Sequence, residues 1–161
     1  MTVQEYNQSV TNYSDDVYRF IVKNLGHSED ARDIVQSSFL TVWDKREEVE
    51  VTKCKSFLFT VAYRKMIDHI RKRKRETLKE EIHEQALGDT GHRKDLRDLL
   101  NKALQALPAI QRQLVLLRDY EGYSYDEMQQ ITGIDSTQVK VYLHRARIGL
   151  KQAITKLEEQ V

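Results

Sequence analysis

The side chains best suited to chemistry lie in one stretch near the end of the chain, and that chemistry is hydrogen bonding to nucleic acid. The stretch from Ser136 to Lys151 contains four Lys or Arg residues and no acid. A helix in the major groove needs short polar or methyl-bearing side chains that reach base edges and flanking cations that bind phosphates. The residues in this stretch that fit the two roles are Ser136, Thr137, Gln138, Lys140, Val141, His144, Arg145 and Arg147.

A helix–turn–helix pattern is expected to position these side chains. Ser124, with Glu127 three residues later, matches the capping box that begins a helix. Gly133 predicts the turn, because glycine adopts positive φ without steric cost. Asp135 or Ser136 then caps a second helix that extends past residue 150. Its apolar positions recur at helical spacing and form a predicted buried stripe of Val139, Leu143, Ala146 and Leu150. The alternative is a two-helix corner of an ordinary bundle with a solvated basic face.

A second basic stretch lies in the middle of the chain. Residues Arg64–Arg75 include seven Lys or Arg residues and one acid, Asp68. The stretch continues from an apolar segment that carries Phe57, Phe59 and Tyr63. Cations beside aromatic rings suit a DNA backbone together with unstacked bases. A plain solvated helix end is the competing interpretation.

Composition favours helices throughout the 161-residue chain. It has 40% hydrophobic residues, one proline and six glycines, so a core can form and few breaks are expected. The net charge of +1 carries no information about partners. The lone cysteine, Cys54, cannot form an internal disulfide, which is typical of a reducing compartment. No apolar run approaches about 18 residues and the N-terminus is polar, so we expect a soluble intracellular protein without a membrane span or signal peptide.

Hydrophobic periodicity and caps predict the remaining elements. The first helix covers about residues 3–25 and ends at Gly26. Ser28 is expected to cap the second helix, over about 28–43, with Glu29 and Asp30 in its first turn. Residues 47–54 are expected to form a loop, 57–75 a long helix, 76–95 a linker, 95–107 a further helix, and 108–122 a helix that begins at the proline. In the second helix, three polar residues lie off the apolar stripe and are open either to a partner or to solvent: Asp33, Gln36 and Ser37.

Two separate parts of the chain resemble the extracytoplasmic-function sigma factors of bacterial RNA polymerase. The N-terminal resemblance rests on DARDIVQSSFLTVW (Asp30–Trp43) and SFLFTVAYRKMIDHIRKRKR (Ser56–Arg75). The C-terminal resemblance covers about residues 99–157. It rests on ALQALP from Ala103, on Arg112, on EGYSYDE from Glu121 and on VKVYLHRAR from Val139. The resemblance implies an all-α protein of two small helical domains, region 2 (1–75) and region 4 (96–161), joined by a flexible linker (76–95).

The resemblance also implies roles for these surfaces. Members of the family bind core polymerase, direct it to a promoter and help to melt the start region, without catalytic residues, cofactors or metals of their own. The segment matching the docking site on the β′ clamp helices is Asp33, Ile34, Val35, Gln36 and Ser37. The loop after residue 47 and the helix that follows match the part that opens and reads the −10 element, with candidate contacts Lys53, Lys55, Arg64, Lys65, Arg71, Lys72, Arg73 and Arg75. The helix from Ser136 matches the −35 reader, in the domain that also meets the β flap. Many members are held inactive by an anti-sigma factor.

Several positions depart from the family pattern, and they fall on the surfaces that read DNA. Gln129 stands where a small residue is usual, and Thr137–Gln138 stands where glycine–threonine is common. Val141 and Tyr142 replace serine and arginine, and Arg64 replaces a frequent asparagine. These departures leave the fold unchanged and bear on which promoter sequence is read.

Two other classes of protein explain less of the sequence. A stand-alone helix–turn–helix regulator explains the C-terminal motif but not the basic run in a separate domain, and such a regulator usually dimerises on two half-sites. An enzyme such as a nuclease needs clustered carboxylates or metal ligands. The acids here lie at helix caps or beside lysines. The five histidines are scattered and lack zinc-ligand spacing with Cys54.

Overall fold

The computed structural model describes residues 1–79 and 95–160, and these residues form helices and short connections without a strand. The elements are α1 (Val3–Leu25), α2 (Ser28–Asp44), a 3₁₀ turn (Val51–Lys53), α3 (Cys54–Lys79), α4 (Leu96–Ala106), α5 (Ala109–Val115), a π-helical turn (Leu116–Tyr120), α6 (Tyr125–Thr132) and α7 (Ser136–Glu159). The all-α class is therefore confirmed. Most of the predicted linker lies outside the described residues.

Helices α1–α3 form an N-terminal bundle. Helix α1 begins at a capping box between Thr2 and Glu5 and ends at Gly26, whose φ of 75° closes the helix in the left-handed region. The core of the bundle contains Val17, Phe20, Ile21, Ala31, Val42, Leu58, Ala62 and Met66, each at most 1% exposed. Tyr6 adds an edge-to-face contact with Trp43 at 4.9 Å between ring centroids and donates a hydrogen bond to the Phe39 carbonyl. These contacts fix α1 against α2.

Two boundaries in the N-terminal bundle differ from the sequence prediction. The N-cap of α2 is His27, not Ser28, because the His27 carbonyl already accepts the first helical bond, from the Ala31 N–H. Helix α3 begins at Cys54 instead of Phe57 and runs past residue 75 to Lys79. Cys54 is 1% exposed, so burial of this residue draws the start of the helix into the core.

Helices α4–α7 form a C-terminal bundle. Asp95 caps α4 by accepting a hydrogen bond from the Asp98 N–H, and Pro108 precedes α5. The buried apolar residues here include Leu104, Leu114, Leu117, Met128, Ile131, Val139 and Leu143. The Arg112 guanidinium reaches the carbonyls of Leu104, Gln105 and Leu107 at 3.4–3.5 Å, and it thereby ties α5 to the end of α4.

The two bundles pack directly on each other. Their buried side chains form one continuous apolar cluster. At the junction, Phe59 of α3 lies between Phe20 and Tyr123, with ring centroids 5.6 and 5.1 Å away. Domain placement was left open by the sequence, and the structure shows a closed arrangement.

Candidate nucleic-acid interface

The helix–turn–helix has the predicted local geometry. Ser124 and Glu127 exchange both capping-box hydrogen bonds, at 3.1 and 3.2 Å. Gly133 ends α6 with a φ of 77°. Asp135 is the N-cap of α7 and accepts a hydrogen bond from the Thr137 N–H. A further bond from the Ser136 N–H to the Gln129 side chain joins the two helices across the turn, so Gln129 has a structural contact that a small residue could not make.

Helix α7 presents the predicted reading face to solvent. Val139, Leu143 and Ala146 are at most 1% exposed and hold the helix against the bundle. Leu150 is only half-buried. Ser136, at the start of the helix, is half-buried as well. The remaining candidate contacts are all exposed: Thr137, Gln138, Lys140, Val141, His144, Arg145 and Arg147.

The cations of α7 differ in their surroundings. Arg147 binds both carboxylate oxygens of Asp119, at 2.7 and 3.1 Å, and these hydrogen bonds raise its pKa. Lys140 lies 5.4 Å from the centre of the Tyr125 ring. Arg145 makes no ion pair within the described parts of the chain. The Arg145 guanidinium can therefore bind a phosphate without losing an ion pair. Arg147 could bind a phosphate only by weakening or breaking its ion pair with Asp119.

The basic end of α3 is exposed on most sides. Arg64, Arg71, Lys72 and Arg75 face solvent, and Lys65 is half-buried. Arg73 instead donates to Asp30 at 3.0 Å, and the same carboxylate oxygen lies 3.2 Å from His69 Nε2. Asp30 therefore neutralises one of the predicted phosphate contacts while it ties α3 to the start of α2.

Two further candidate cations lie where α3 begins. Lys53 is highly exposed and 3.9 Å from Glu50. Lys55 is more enclosed, with Asp16 at 3.6 Å and the ring centres of Tyr13 and Tyr123 each at 5.9 Å. Of these groups, Tyr123 belongs to the C-terminal bundle.

The aromatic residues of α3 do not form the open platform that the sequence suggested. Phe59 is fully buried, Tyr63 is 7% exposed, and Phe57 is half-buried against the core. One side of α3 packs against the N-terminal core. Another side packs against the C-terminal bundle, so the helix is covered on both. In this arrangement the buried rings of Phe59 and Tyr63 cannot stack on unpaired bases.

The predicted docking segment on α2 divides into surface and core. Asp33 and Gln36 are exposed and Ser37 is half-buried. Ile34 and Val35 are 7% and 8% exposed, because α2 packs this face against the rest of the bundle. The part that these two residues play in docking stays a prediction. Val35 also lines a groove beside α2.

This groove between α1 and α2 was missed by the sequence analysis. It has a volume of about 620 Å³, and Val10, Val35, Phe39 and Leu40 contribute its apolar wall. Leu40 is 59% exposed, so its side chain is open to solvent at the groove. Asp15, Arg32 and Gln36 add polar groups along the groove. The sequence analysis assigned Leu40 to neither the core nor the surface. Its position one helical turn after Gln36 places it on the same face of α2, and this spacing could have identified it.

Nowhere in residues 1–79 and 95–160 do three His, Cys, Asp or Glu side chains gather as a metal site requires. None of the described helices is both long enough and apolar enough to cross a membrane.

Comparison with known protein families agrees with this division into two bundles. The family described as sigma-70 region 2 matches residues 10–76, and the family described as sigma-70 region 4 matches residues 97–148. Together the two matches cover α2, α5 and α6, most of α1, α3 and α4, and about the first half of α7.

Individual proteins align over nearly the full chain. The ECF RNA polymerase sigma factor SigM of Bacillus subtilis is 29% identical over 94% of both chains. The ECF RNA polymerase sigma factor SigF of Caulobacter vibrioides is 33% identical over 86% of this chain and 79% of its own. Among solved structures, the sigma factor RpoE in complex with the anti-sigma factor NepR, from Bartonella quintana, has a TM-score of 0.81 and 25% identity. That match covers 95% of this chain and 98% of RpoE.

Proposed function

This chain belongs to the extracytoplasmic-function sigma factors of bacterial RNA polymerase, and from that premise we propose how its surfaces divide the work of promoter selection. As a sigma factor, it binds core RNA polymerase and directs the enzyme to promoter DNA. We assign docking on the clamp helices and −10 recognition to residues 1–75 and −35 recognition to residues 96–161. The single observation that carries this assignment is the exposed, acid-free reading face of α7 beside a second, separate basic surface on α3.

The −35 element is assigned to α7. Its first two turns offer Thr137, Gln138 and Val141 to base edges, while Lys140 and Arg145 reach toward phosphates. Because Val141 and Tyr142 stand where serine and arginine are common in the family, the −35 sequence should differ from that of its relatives.

The −10 element is assigned to the turn before α3 and to α3 itself. Lys53 and Lys55 lie at the start of the helix, and Arg64 and Arg71 lie along the side nearer α6. Lys72 and Arg75 extend the basic surface beyond it. Phosphate attraction to these side chains supports single-strand binding without specifying sequence.

Docking on polymerase is assigned to the exposed part of α2 and the groove beside it. Asp33 and Gln36 supply polar contacts, and Leu40 supplies an apolar contact, so a mixed helical surface such as the clamp coiled coil fits this face. The likeness to a sigma factor solved with an anti-sigma factor supports the proposal that such a regulator binds this chain too. The protein would act in the cytoplasm and contribute no catalytic step of its own.

Polymerase dependence tests the function. The purified chain and bacterial core polymerase are incubated, separately and together, with a genomic DNA pool, and the transcripts are sequenced. We expect transcription only when both are present, with shared −10 and −35 sequences upstream of the start sites. Sequence-specific footprints by the chain alone, without transcription in the mixture, would indicate the stand-alone regulator instead.

A further inference from the structure

Val141 is the apolar member of an otherwise polar set of candidate DNA contacts on α7. It is 46% exposed and lies in the second turn of the helix, among the N-terminal residues that a recognition helix presents to base edges. A single exposed valine is ordinary on a protein surface, but at this position it would face a base pair. Its side chain has no hydrogen-bonding atom, so it can recognise a base only through an apolar contact.

An open hollow surrounds this valine on the exposed side of α7. The hollow has a volume of about 230 Å³ and is lined by Thr137, Gln138, Val141, Tyr142 and Arg145. Residues four apart are neighbours on a helix, so these side chains form two adjacent rows, one of three residues and one of two. Valine, the threonine methyl group and the tyrosine ring can supply apolar surface, whereas glutamine and arginine supply polar groups. The hollow can therefore take a small apolar group beside a hydrogen-bonding one.

Thymine offers the matching group. Among the four bases it alone presents a methyl group in the major groove, on C5, while adenine presents the donor and acceptor that a glutamine amide can bond together. Gln138 precedes Val141 by three residues, which is about 4.5 Å along the helix axis. Successive base pairs are about 3.4 Å apart, so the two side chains can reach neighbouring pairs.

We propose that Val141 reads the C5-methyl group of a thymine in the −35 element, within two base pairs of the base that Gln138 contacts. This inference rests on the proposed assignment of the −35 element to α7. It adds the identity of one base pair to that assignment and makes Val141 a determinant of promoter specificity. Burying one methyl-sized apolar group changes an equilibrium constant about four-fold, which sets the size of the expected effect.

Deoxyuridine tests the methyl group alone, because it pairs as thymine does and lacks only the C5-methyl. Promoters are first selected from a genomic DNA pool with this chain and core polymerase. Each −35 thymine on either strand of one selected promoter is then replaced singly by deoxyuridine, and holoenzyme affinity is measured by competition. We expect one position at which deoxyuridine weakens wild-type binding about four-fold. With Val141→Ser, the same replacement should have no effect.

Ile148→Ser is the matched control. Ile148 is also 46% exposed on α7, but it lies seven residues beyond Val141, about 10 Å further along the axis, and outside the hollow. This variant should keep the full deoxyuridine effect.

A second measurement adds the methyl group to a different base. The thymine identified above is replaced by cytosine or by 5-methylcytosine, each paired with guanine. The wild type should bind the methylated promoter about four-fold more tightly than the unmethylated one, and Val141→Ser should bind the two equally.

Two results would overturn the inference. One is a −35 element in which no thymine is present or none loses affinity when it is replaced by deoxyuridine. The other is a deoxyuridine effect that persists unchanged in Val141→Ser, or in Val141→Ala if circular dichroism shows that the serine variant does not fold. Both results leave the sigma-factor assignment standing, because the promoters are still selected and bound. A chain that selects no promoter with core polymerase would reject the proposed function, and the inference with it.

Discussion

Gln138 is the single residue whose chemistry should matter most for sequence preference. It lies exposed near the start of α7, and its amide can both donate to and accept from one base edge. Gln138→Ala should change the preference at one −35 position by about 1–3 kcal/mol. This is measured by transcription or holoenzyme binding across promoters randomised at −35.

The control for Gln138 is Lys140→Gln on the same helix. A phosphate contact carries no sequence information, so this variant should weaken binding to all duplexes alike and reduce the salt slope by about 0.9. An unaltered preference profile for Gln138→Ala would remove Gln138 from the reading face. A changed profile for Lys140→Gln would move Lys140 onto it.

Asp33 tests the docking surface in the same way. It is exposed in the second turn of α2, beside Gln36. Asp33→Arg reverses its charge and should weaken assembly with core polymerase, while binding of the free protein to −35 duplex DNA stays unchanged. Glu48→Arg makes the same charge change at an exposed position outside the helix and should assemble normally. Normal assembly of Asp33→Arg in a competition assay would refute the assignment.

At single residues, the sequence was reliable where one face of a helix is buried and the other is solvated. The burial of Val139 and Leu143 and the exposure of Gln138 follow directly from a period of 3.6 residues. The sequence was unreliable where a helix is covered on two sides. In α3 the period cannot tell a base-stacking ring from one that meets a second domain, so Phe59 was misassigned.

Among the elements, the two capping boxes offer a direct comparison. Thr2 with Glu5 begins α1, and Ser124 with Glu127 begins α6. Either Thr2→Ala or Ser124→Ala should lower the free energy of unfolding by about 1 kcal/mol, because an orphan backbone N–H loses its acceptor. Urea unfolding followed by circular dichroism measures the change.

The two caps should also differ in function. Ser124→Ala loosens the helix that supports α7, so it should weaken −35 duplex binding, whereas Thr2→Ala should leave that binding intact. Equal effects of the two variants on duplex binding would show that the cap on α6 has no particular part in holding the reading helix.

Element types were predictable because each helix carries its own signals, whereas boundaries depended on contacts that the sequence does not display. Gly26 and Gly133 take the left-handed conformation expected of them. The N-cap of α2 is His27 and not the predicted Ser28, because His27 is the only residue between Gly26, which ends α1, and the first turn of α2. Helix α3 begins at Cys54 because the helical conformation places this side chain in the core, where it is 1% exposed. The sequence contains no capping pattern that marks this start.

For the molecule as a whole, the placement of the bundles was not predictable from the sequence. Arg19 and Glu121 are 102 positions apart, and nothing near either residue in the chain indicates the other. The apolar stripes of the helices are also accounted for by the core of their own bundle, so the hydrophobic pattern gives no sign of the second bundle. The pairing emerges only when both surfaces exist.

The buried carboxylate of this pair gives the closed state a pH dependence whose sign can be stated. Burial raises the pKa of Glu121 above its ordinary value of 4.5, and the attraction of Arg19 only partly opposes the shift; Asp16 adds to it and Lys55 reduces it. The folded protein therefore binds this proton more tightly than the unfolded chain does. By linkage, this group makes the protein more stable as pH falls through the window just above 4.5, and that gain is lost as pH rises.

Glu121→Gln isolates this contribution, because glutamine resembles the protonated acid at every pH. Subtracting the free energy of unfolding of Glu121→Gln from that of the wild type should give a difference that increases as the pH is lowered through this window. A difference that instead falls with acidification would mean that the ion pair outweighs desolvation. The variant should also keep the two bundles packed, because it removes a buried charge and leaves an amide that can still bond to Arg19. A larger radius of gyration in small-angle scattering would show that the packing needs the charge of Glu121.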